Sequence, residues 1–235
     1  KTMLKKMCIL GDSILRGVQL TDGKYVVDNN LGLEGICEKA GFEIENVSKF
    51  GCTVTKGFTF AQRLFSRPGD LGKMVLMDFG GNDSDYDWKA ISDNPEGIHE
   101  PKTSIPLFKE TYSQMVDFFL EKDIEPILMT LPPVQSDLYF QWICERDSLN
   151  GNNVMKWLGK LENIGMGQAD FSYAVLDVAK TKGLKTVDLR TAFKNSGEEK
   201  NLFCRDGIHP NTKGQKLIGK CVSSFMEGLM TEKIA

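Results

Sequence analysis

The stretch Met7-Cys8-Ile9-Leu10-Gly11-Asp12-Ser13 decides the fold. Its four apolar residues are followed at once by Gly11, which is typical of a strand buried on both faces of a parallel sheet. Further apolar segments of this kind follow along the chain, Lys73–Phe79 being the strongest, and the segments between them have helical spacing. Alternating strands and helices predict an α/β fold with a doubly wound parallel sheet.

About five strands are expected, each followed by helix. Strands are predicted at Met7–Leu10, Glu43–Val47, Lys73–Phe79, Pro126–Leu131 and Leu184–Leu189. Helices are predicted at Asn30–Ala40, Thr55–Phe65, Leu107–Lys122, Gln141–Asn150, Val154–Asn163, Ala169–Lys182 and Thr212–Met230.

Two polar segments, Asn82–Thr103 and Pro132–Gly151, are long for loops, and each begins where a predicted strand ends. Because ligands in open α/β sheets bind at the carboxyl ends of the strands, we expect both segments to form walls of a pocket.

The composition limits the classes of protein that the chain can belong to. Its 235 residues are 41% hydrophobic and 26% charged, which excludes disorder as the main state and allows one large domain or two small ones. The net charge of −3, without any basic block, argues against nucleic acid as a partner. No apolar run approaches the roughly 18 residues that span a bilayer, so no membrane partner is expected. The six cysteines form no CxxC pair, which favours reduced thiols over a disulfide framework or a zinc site.

The segment Lys1–Leu10 has the basic start of a signal peptide. Its apolar stretch lasts only four residues before Gly11, and no small-residue cleavage site follows. We therefore interpret this segment as the first core strand and predict a cytoplasmic protein. Secretion stays open for a form whose leader has been removed.

Ser13, Asp206 and His209 are the candidate catalytic side chains. Ser13 follows the first strand directly, where its hydroxyl faces the ligand edge of the sheet, although Gly11-Asp12-Ser13 alone also fits a helix N-cap. The spacing of three in Asp206-Gly207-Ile208-His209 places the carboxylate beside the imidazole ring. A carboxylate bonded to one ring nitrogen leaves the other nitrogen free to act as a base.

Two further positions offer hydrogen-bond donors at the same edge. Gly51 follows the second strand, and a glycine there lets its own N–H approach a ligand closely. Asn82 follows the strongest strand and carries an N–H₂ group suited to a developing oxyanion. A nucleophile, a base with its orienting carboxylate, and two oxyanion donors together form the arrangement that acyl transfer needs.

The order of these motifs resembles the SGNH (GDSL-type) hydrolase family. Gly11-Asp12-Ser13, Gly51, Gly81-Asn82-Asp83 and Asp206-x-x-His209 look like the family's four blocks, in the family's order and across nearly the whole chain. Ile14 stands where the family usually has Leu, and Cys52 stands where it often has a polar residue. The resemblance implies a flavodoxin-like, three-layer α/β/α fold in which residues 1–235 form a single domain.

The resemblance also implies the role of each site residue. Ser13 is the nucleophile, His209 its base and Asp206 the group that orients the base; the Ser13 and Gly51 backbone N–H groups and the Asn82 amide hold the oxyanion. The expected substrate is a small-molecule acyl ester, with acetyl groups on carbohydrate as the leading choice. A thioesterase, a lysophospholipase and a non-catalytic binding protein on the same scaffold stay open. Serine acyl transfer needs no metal or organic cofactor, and none is expected.

Three other features carry weaker expectations. Cys52 lies beside the oxyanion glycine, but it is more simply a buried thiol than a nucleophile. The acidic stretch Asp83–Asp87 lacks the glycine of a calcium loop and is interpreted as a solvated rim that suits a hydroxyl-rich leaving group. Tryptophan rings can stack on a sugar or an acyl chain or belong to the core, which leaves both roles open for three of them: Trp88, Trp142 and Trp157.

Overall fold

Five parallel strands form the centre of the protein. The computed structural model describes residues 5–27, 33, 37, 41–67 and 69–232, without the side chains of 230–232. The strands of the central sheet are β1 (Lys5–Gly11), β4 (Phe42–Asn46), β5 (Met74–Asp78), β6 (Glu125–Met129) and β7 (Thr186–Val187). They lie in the order β4-β1-β5-β6-β7, and all pairs are parallel. This is the flavodoxin-like order 2-1-3-4-5, which confirms the predicted fold.

Helices follow the strands along the chain. They are α1 (Val54–Leu64), α2 (Trp88–Asp93), α3 (Ile105–Leu120), α4 (Ser136–Asp147), α5 (Gly151–Leu158), α6 (Asn163–Lys182), α7 (Leu189–Lys194) and α8 (Thr212–Glu232), with a 3₁₀ turn at Glu199–Leu202. The helix predicted over Asn30–Ala40 lies outside the described residues except for Leu33 and Cys37, which are both helical.

Both faces of the sheet are buried, as a doubly wound fold requires. In β1, Cys8 and Leu10 point into one core, and Met7 and Ile9 point into the other. The first core is filled by α1, α3 and α6, and the second by α7 and α8. Successive side chains of this strand point into opposite cores, which explains why it is apolar at every position from Met7 to Leu10.

Both long polar segments contain a helix. Asn82–Thr103 holds α2, which was not predicted, and Pro132–Gly151 holds α4, which begins at Ser136 and overlaps the predicted helix Gln141–Asn150. These helices share a third apolar cluster with α5 and the start of α6. Trp88 and Trp142 are buried in this cluster, which makes both of them core residues.

A two-stranded hairpin stands outside the main sheet. Its strands, β2 (Val18–Thr21) and β3 (Lys24–Val27), pair antiparallel. This hairpin was not predicted from the sequence, although Asp22-Gly23 is a strong signal for a tight hairpin turn. Both turn residues have positive φ, 50° at Asp22 and 74° at Gly23, as such a turn requires. None of the described helices is long and apolar enough to cross a bilayer.

Candidate active site

The candidate site lies where the strand order of the sheet reverses. β1 and β5 are neighbours, but the chain visits β4, on the other side of β1, between them. Loops that leave the carboxyl ends of such strands diverge and open a crevice, which is the usual ligand position in this architecture. Ser13 follows β1, Gly51 follows β4 and Asn82 follows β5.

Ser13, His209 and Asp206 form one chain of hydrogen bonds. His209 Nε2 lies 2.9 Å from Ser13 Oγ, and His209 Nδ1 lies 2.6 Å from Asp206 Oδ2. All three residues are buried, with exposed fractions of 7% for Ser13, 3% for His209 and 0% for Asp206. The carboxylate therefore holds the ring with one nitrogen directed at the serine hydroxyl, which is the geometry that a general base needs.

The turn that carries Asp206 and His209 is tightly specified. Asp206 Oδ1 accepts the backbone N–H groups of Ile208 and His209, so the same carboxylate shapes the turn and orients the ring. Gly207 has φ +71°, and a Cβ there would lie 2.6 Å from Gln135 O. A glycine is needed at this position both for its backbone angle and for the close approach of α4.

Ser13 lies on a tight turn and does not begin a helix. Residues 12–17 form successive turns, closed by bonds such as Arg16 N–H to Asp12 O at 3.1 Å. The helix N-cap interpretation of Ser13 is therefore wrong. Asp12 Oδ1 instead accepts the N–H of Ile14 at 2.8 Å, an Asx turn that bends the chain directly after β1.

Asn82 is joined to the serine loop through Asp12. Its Nδ2 donates to Asp12 Oδ2 at 2.8 Å and, over a longer distance of 3.3 Å, to Cys52 O. Gly51, the residue before Cys52, has φ +68°, a backbone conformation that side chains rarely adopt. The structure thus brings Asn82, on the loop after β5, into contact with Cys52, on the loop after β4, and with Asp12, which precedes Ser13.

Buried carboxyl groups lie beneath this crevice. Burial raises the pKa of Asp12 to about 6, although the N–H of Ile14 opposes the shift. Burial likewise raises the pKa of Asp83 to about 6. The pKa of Asp78, at the end of β5, rises well above its usual value because of burial and the nearby Asp12. Neither carboxyl oxygen of Asp78 has a hydrogen-bond partner among the described residues, which favours its neutral form.

Asp83 does not belong to the solvated rim that was predicted for Asp83–Asp87. Asp83 is fully buried; its carboxylate accepts the N–H of Val54 at 3.1 Å and the hydroxyl of Thr103 at 2.7 Å. Asp85 accepts bonds from Tyr139 and other groups of the third cluster, and Asp87 caps α2. The prediction of a solvated rim is therefore wrong for Asp83, whereas Asp87 is exposed to solvent.

Two aromatic residues beside His209 were missed by the sequence analysis. The ring of Tyr25, from the hairpin, lies 5.0 Å from the imidazole, and that of Phe50 is stacked on it at 6.0 Å. Tyr25 is held by Trp142, whose Nε1–H donates to its hydroxyl at 3.2 Å. The hairpin turn signal at Asp22-Gly23 was the available clue to Tyr25, whereas Phe50 carries no sequence signal of its own.

Cys52 and His99 do not belong to the hydrogen-bonded chain. Burial raises the pKa of the Cys52 thiol to about 11, so it is a poor nucleophile near neutral pH. His99 Nε2 lies 2.8 Å from Asn94 O, and its ring meets Trp157 edge to face.

The chain belongs to the GDSL-like lipase/acylhydrolase family, whose model matches residues 9–217. A lipase/acylhydrolase from Enterococcus faecalis has a similar structure, with 18% identity, a TM-score of 0.64 and coverage of 96% of each chain. The acetyl xylan esterase AlAXEase is 18% identical, with a TM-score of 0.60 over 94% of this chain and 98% of its own. TesA is 16% identical, with a TM-score of 0.62 over 96% and 99%. At these identities the likenesses show the fold alone. No curated protein matched the chain.

Proposed function

We propose that the protein is a serine esterase that hydrolyses small acyl esters through Ser13, His209 and Asp206. The observation that carries this proposal is the hydrogen-bonded chain from Ser13 Oγ through the His209 ring to Asp206. A non-catalytic binding protein on this scaffold would need one of the three groups to be unusable, but all three are present within hydrogen-bond distance. The proposal treats residues 1–235 as one domain, because Ser13 and His209 belong to one site although 196 positions separate them.

Acyl transfer would proceed in two steps. His209 Nε2 accepts the proton of Ser13 as Oγ attacks the acyl carbon, and Asp206 stabilises the imidazolium that forms. The Ser13 and Gly51 N–H groups and the Asn82 amide bind the oxygen that becomes negative. His209 then passes its proton to the leaving group. Water, activated by the same imidazole, attacks the acyl-enzyme and releases the acid.

The burial of the site favours a small ester. Ser13 is only 7% exposed, and the rings of Tyr25 and Phe50 lie beside the imidazole that must reach the leaving group, which leaves little room for a bulky ester. Acetyl esters are therefore our leading substrates, in line with the similar fold of an acetyl xylan esterase. One argument for an acetylated carbohydrate as the substrate no longer holds, because Asp83 is buried and offers no polar rim for a hydroxyl-rich leaving group.

Active-site labelling with a fluorophosphonate tests the catalytic role of Ser13. We expect stoichiometric label on Ser13, no label on a Ser13→Ala variant, and full label on a Ser66→Ala control, since Ser66 is exposed on the loop after α1. Hydrolysis of 4-nitrophenyl esters from two to twelve acyl carbons, with thioester and lysophospholipid substrates alongside, tests the acyl and leaving groups. A Ser13→Ala protein that still hydrolyses 4-nitrophenyl acetate at the wild-type rate would refute the proposal.

A further inference from the structure

A groove of about 430 Å³ leads away from the candidate active site. Its volume lies within the range of small-molecule sites, about 300–1,000 Å³. Phe50, Gly51 and Cys52 form the end of the groove that adjoins the site. Phe50 is stacked on His209, and Cys52 O accepts from Asn82 Nδ2, so a ligand in the groove would reach the proposed oxyanion donors.

All the charged side chains that line the groove are cations. They are Lys49, on the loop after β4, and Lys56 and Arg63, on α1. The sequence shows how local this charge is: between Glu45 and Asp70 there is no acidic residue, whereas the whole chain has a net charge of −3. A positive groove in a slightly acidic protein indicates a selective attraction for anions at this place.

One face of α1 builds the wall of the groove. Lys56, Phe60 and Arg63 are spaced by four and three residues, so their side chains follow one stripe along the helix. Thr55 and Thr59 add hydroxyl groups to the same wall. The opposite face of α1 is anchored in the core through Val54 and Ala61, which fixes the position of the stripe.

The cations of the groove lack the carboxylate partners that are common elsewhere in the molecule. Within the described part of the chain, no carboxylate lies within ion-pair distance of Lys49, Lys56 or Arg63. The Lys49 ammonium instead lies 3.5 Å from the centre of the Phe60 ring, which holds it over the groove. By contrast, Lys102, Lys182 and Lys200 are each paired with an aspartate. The three groove cations are thus available to an incoming anion.

We propose that this groove binds an anionic group, a carboxylate or a phosphate, carried by the ester that Ser13 attacks. The inference rests on the proposed esterase function and narrows its substrate class to anionic esters. Lys56 and Arg63 supply charge at the groove wall, where a water-screened contact between unit charges is worth roughly fivefold in affinity. Removing both charges should therefore weaken the binding of an anionic substrate by roughly 25-fold and leave the binding of a neutral substrate unaffected.

Matched pairs of esters test the charge preference. For an anion on the alcohol part, 4-acetoxybenzoate is compared with its neutral methyl ester, and 4-acetoxyphenyl phosphate tests phosphate in place of carboxylate. For an anion on the acyl part, mono-4-nitrophenyl succinate is compared with its methyl ester. The variant is Lys56→Gln with Arg63→Gln. The control, Lys216→Gln with Lys220→Gln, removes the same charge from exposed positions of α8, which packs against the other face of the sheet.

We expect the groove variant to lower kcat/KM for an anionic ester at least tenfold, mainly through KM, and to leave the neutral partner within twofold. The control should leave both within twofold. Raising the ionic strength should lower kcat/KM for the anionic ester only. Equal changes for the anionic and neutral esters, or equal changes in variant and control, would overturn the proposal.

A binding measurement separates failure of this inference from failure of the esterase proposal. Calorimetry with 4-acetoxybenzoate on the Ser13→Ala protein, with and without the groove substitutions, measures anion binding without turnover. If the wild-type protein hydrolyses no ester but the groove substitutions still weaken binding at least tenfold, only the esterase proposal fails. If neutral esters are hydrolysed and binding of the anion is unchanged by the substitutions, only the groove proposal fails.

Discussion

Replacing Asn82 by alanine tests the proposed oxyanion site most directly. The Asn82 amide has two N–H bonds: one is engaged with Asp12 at 2.8 Å, and the other makes a long contact of 3.3 Å with Cys52 O. The long contact lies near the limit of a hydrogen bond, so its hydrogen is the one available to a developing oxyanion. Removal of one such donor typically costs about 2.7–4 kcal/mol in the transition state, which corresponds to roughly 10²–10³ in kcat.

The same substitution has a smaller, separable effect on stability. It leaves the buried Asp12 carboxyl without its Asn82 partner, which costs about 1–3 kcal/mol of folding free energy. Asn153→Ala is the matched control, because Asn153 Nδ2, on α5, donates to Ser92 O, on α2, at 2.8 Å. The control should lose stability to a similar extent and keep its turnover.

Steady-state hydrolysis of 4-nitrophenyl acetate, measured well below the melting temperature of each variant, gives kcat and KM separately. We expect Asn82→Ala to lower kcat by roughly 10²–10³ with KM within threefold, since the lost contact forms only in the transition state. A kcat within fivefold of wild type in a folded Asn82→Ala protein would show that the amide is not an oxyanion donor. An equal loss in Asn153→Ala would trace the effect to packing.

Three further changes are predicted. Asp206→Asn should lower kcat by about 10⁴, because the amide stabilises the wrong tautomer of His209; a loss below tenfold under saturating ester would contradict the proposed role. Burial raises the pKa of Asp78, so the folded state keeps a proton that the unfolded state releases. Its contribution to stability is complete below about pH 4 and is lost as the pH rises toward the folded pKa, by at most about 1.4 kcal/mol per pH unit. Between pH 4 and 8, the free energy of unfolding measured with denaturant should therefore fall more steeply for wild type than for Asp78→Asn. Parallel curves would contradict a raised pKa of Asp78. Gly207→Ala should destabilise the fold by more than about 2 kcal/mol and abolish turnover, since its Cβ would meet Gln135 O, whereas Gly167→Ala, with open space at its Cβ, should gain about 0.5–1 kcal/mol. Thermal melts of the two glycine variants compare them directly, and equal melting temperatures would refute the argument.

Sequence predicts well those parts of the fold whose structure is fixed by the residues of one short segment. The apolar run Met7–Leu10 is buried in two cores, so every position carries the same signal and the strand is unmistakable. The spacing of Asp206 and His209 within one turn likewise fixes their contact locally. Ser13 comes directly from the end of β1, whereas Asp206 and His209 lie between the 3₁₀ turn and α8, so their meeting with Ser13 depends on the complete fold.

Elements whose stability depends on distant partners were harder to predict. The polar segment 82–103 looks like a loop because its acidic residues act as caps and acceptors inside the protein, which no periodicity reveals. β7 is only two residues long, although the apolar segment Leu184–Leu189 predicted six, because Leu189 already begins α7. The hairpin of β2 and β3 was overlooked despite its Asp-Gly turn, since each strand has only four residues and β3 does not alternate apolar and polar residues.

The position of the proposed base after the last strand of the sheet has a consequence for biosynthesis. A ribosome that has completed residues 1–205 has already made the proposed nucleophile, the proposed oxyanion donors and all five described strands of the parallel sheet. Only the next four residues add the imidazole and its carboxylate partner. A polypeptide that stops before Asp206 would therefore not hydrolyse esters, however well it had folded. If the proposed roles hold, turnover would begin only when translation has passed His209, so hydrolysis would report on chains in which Asp206 and His209 have joined Ser13.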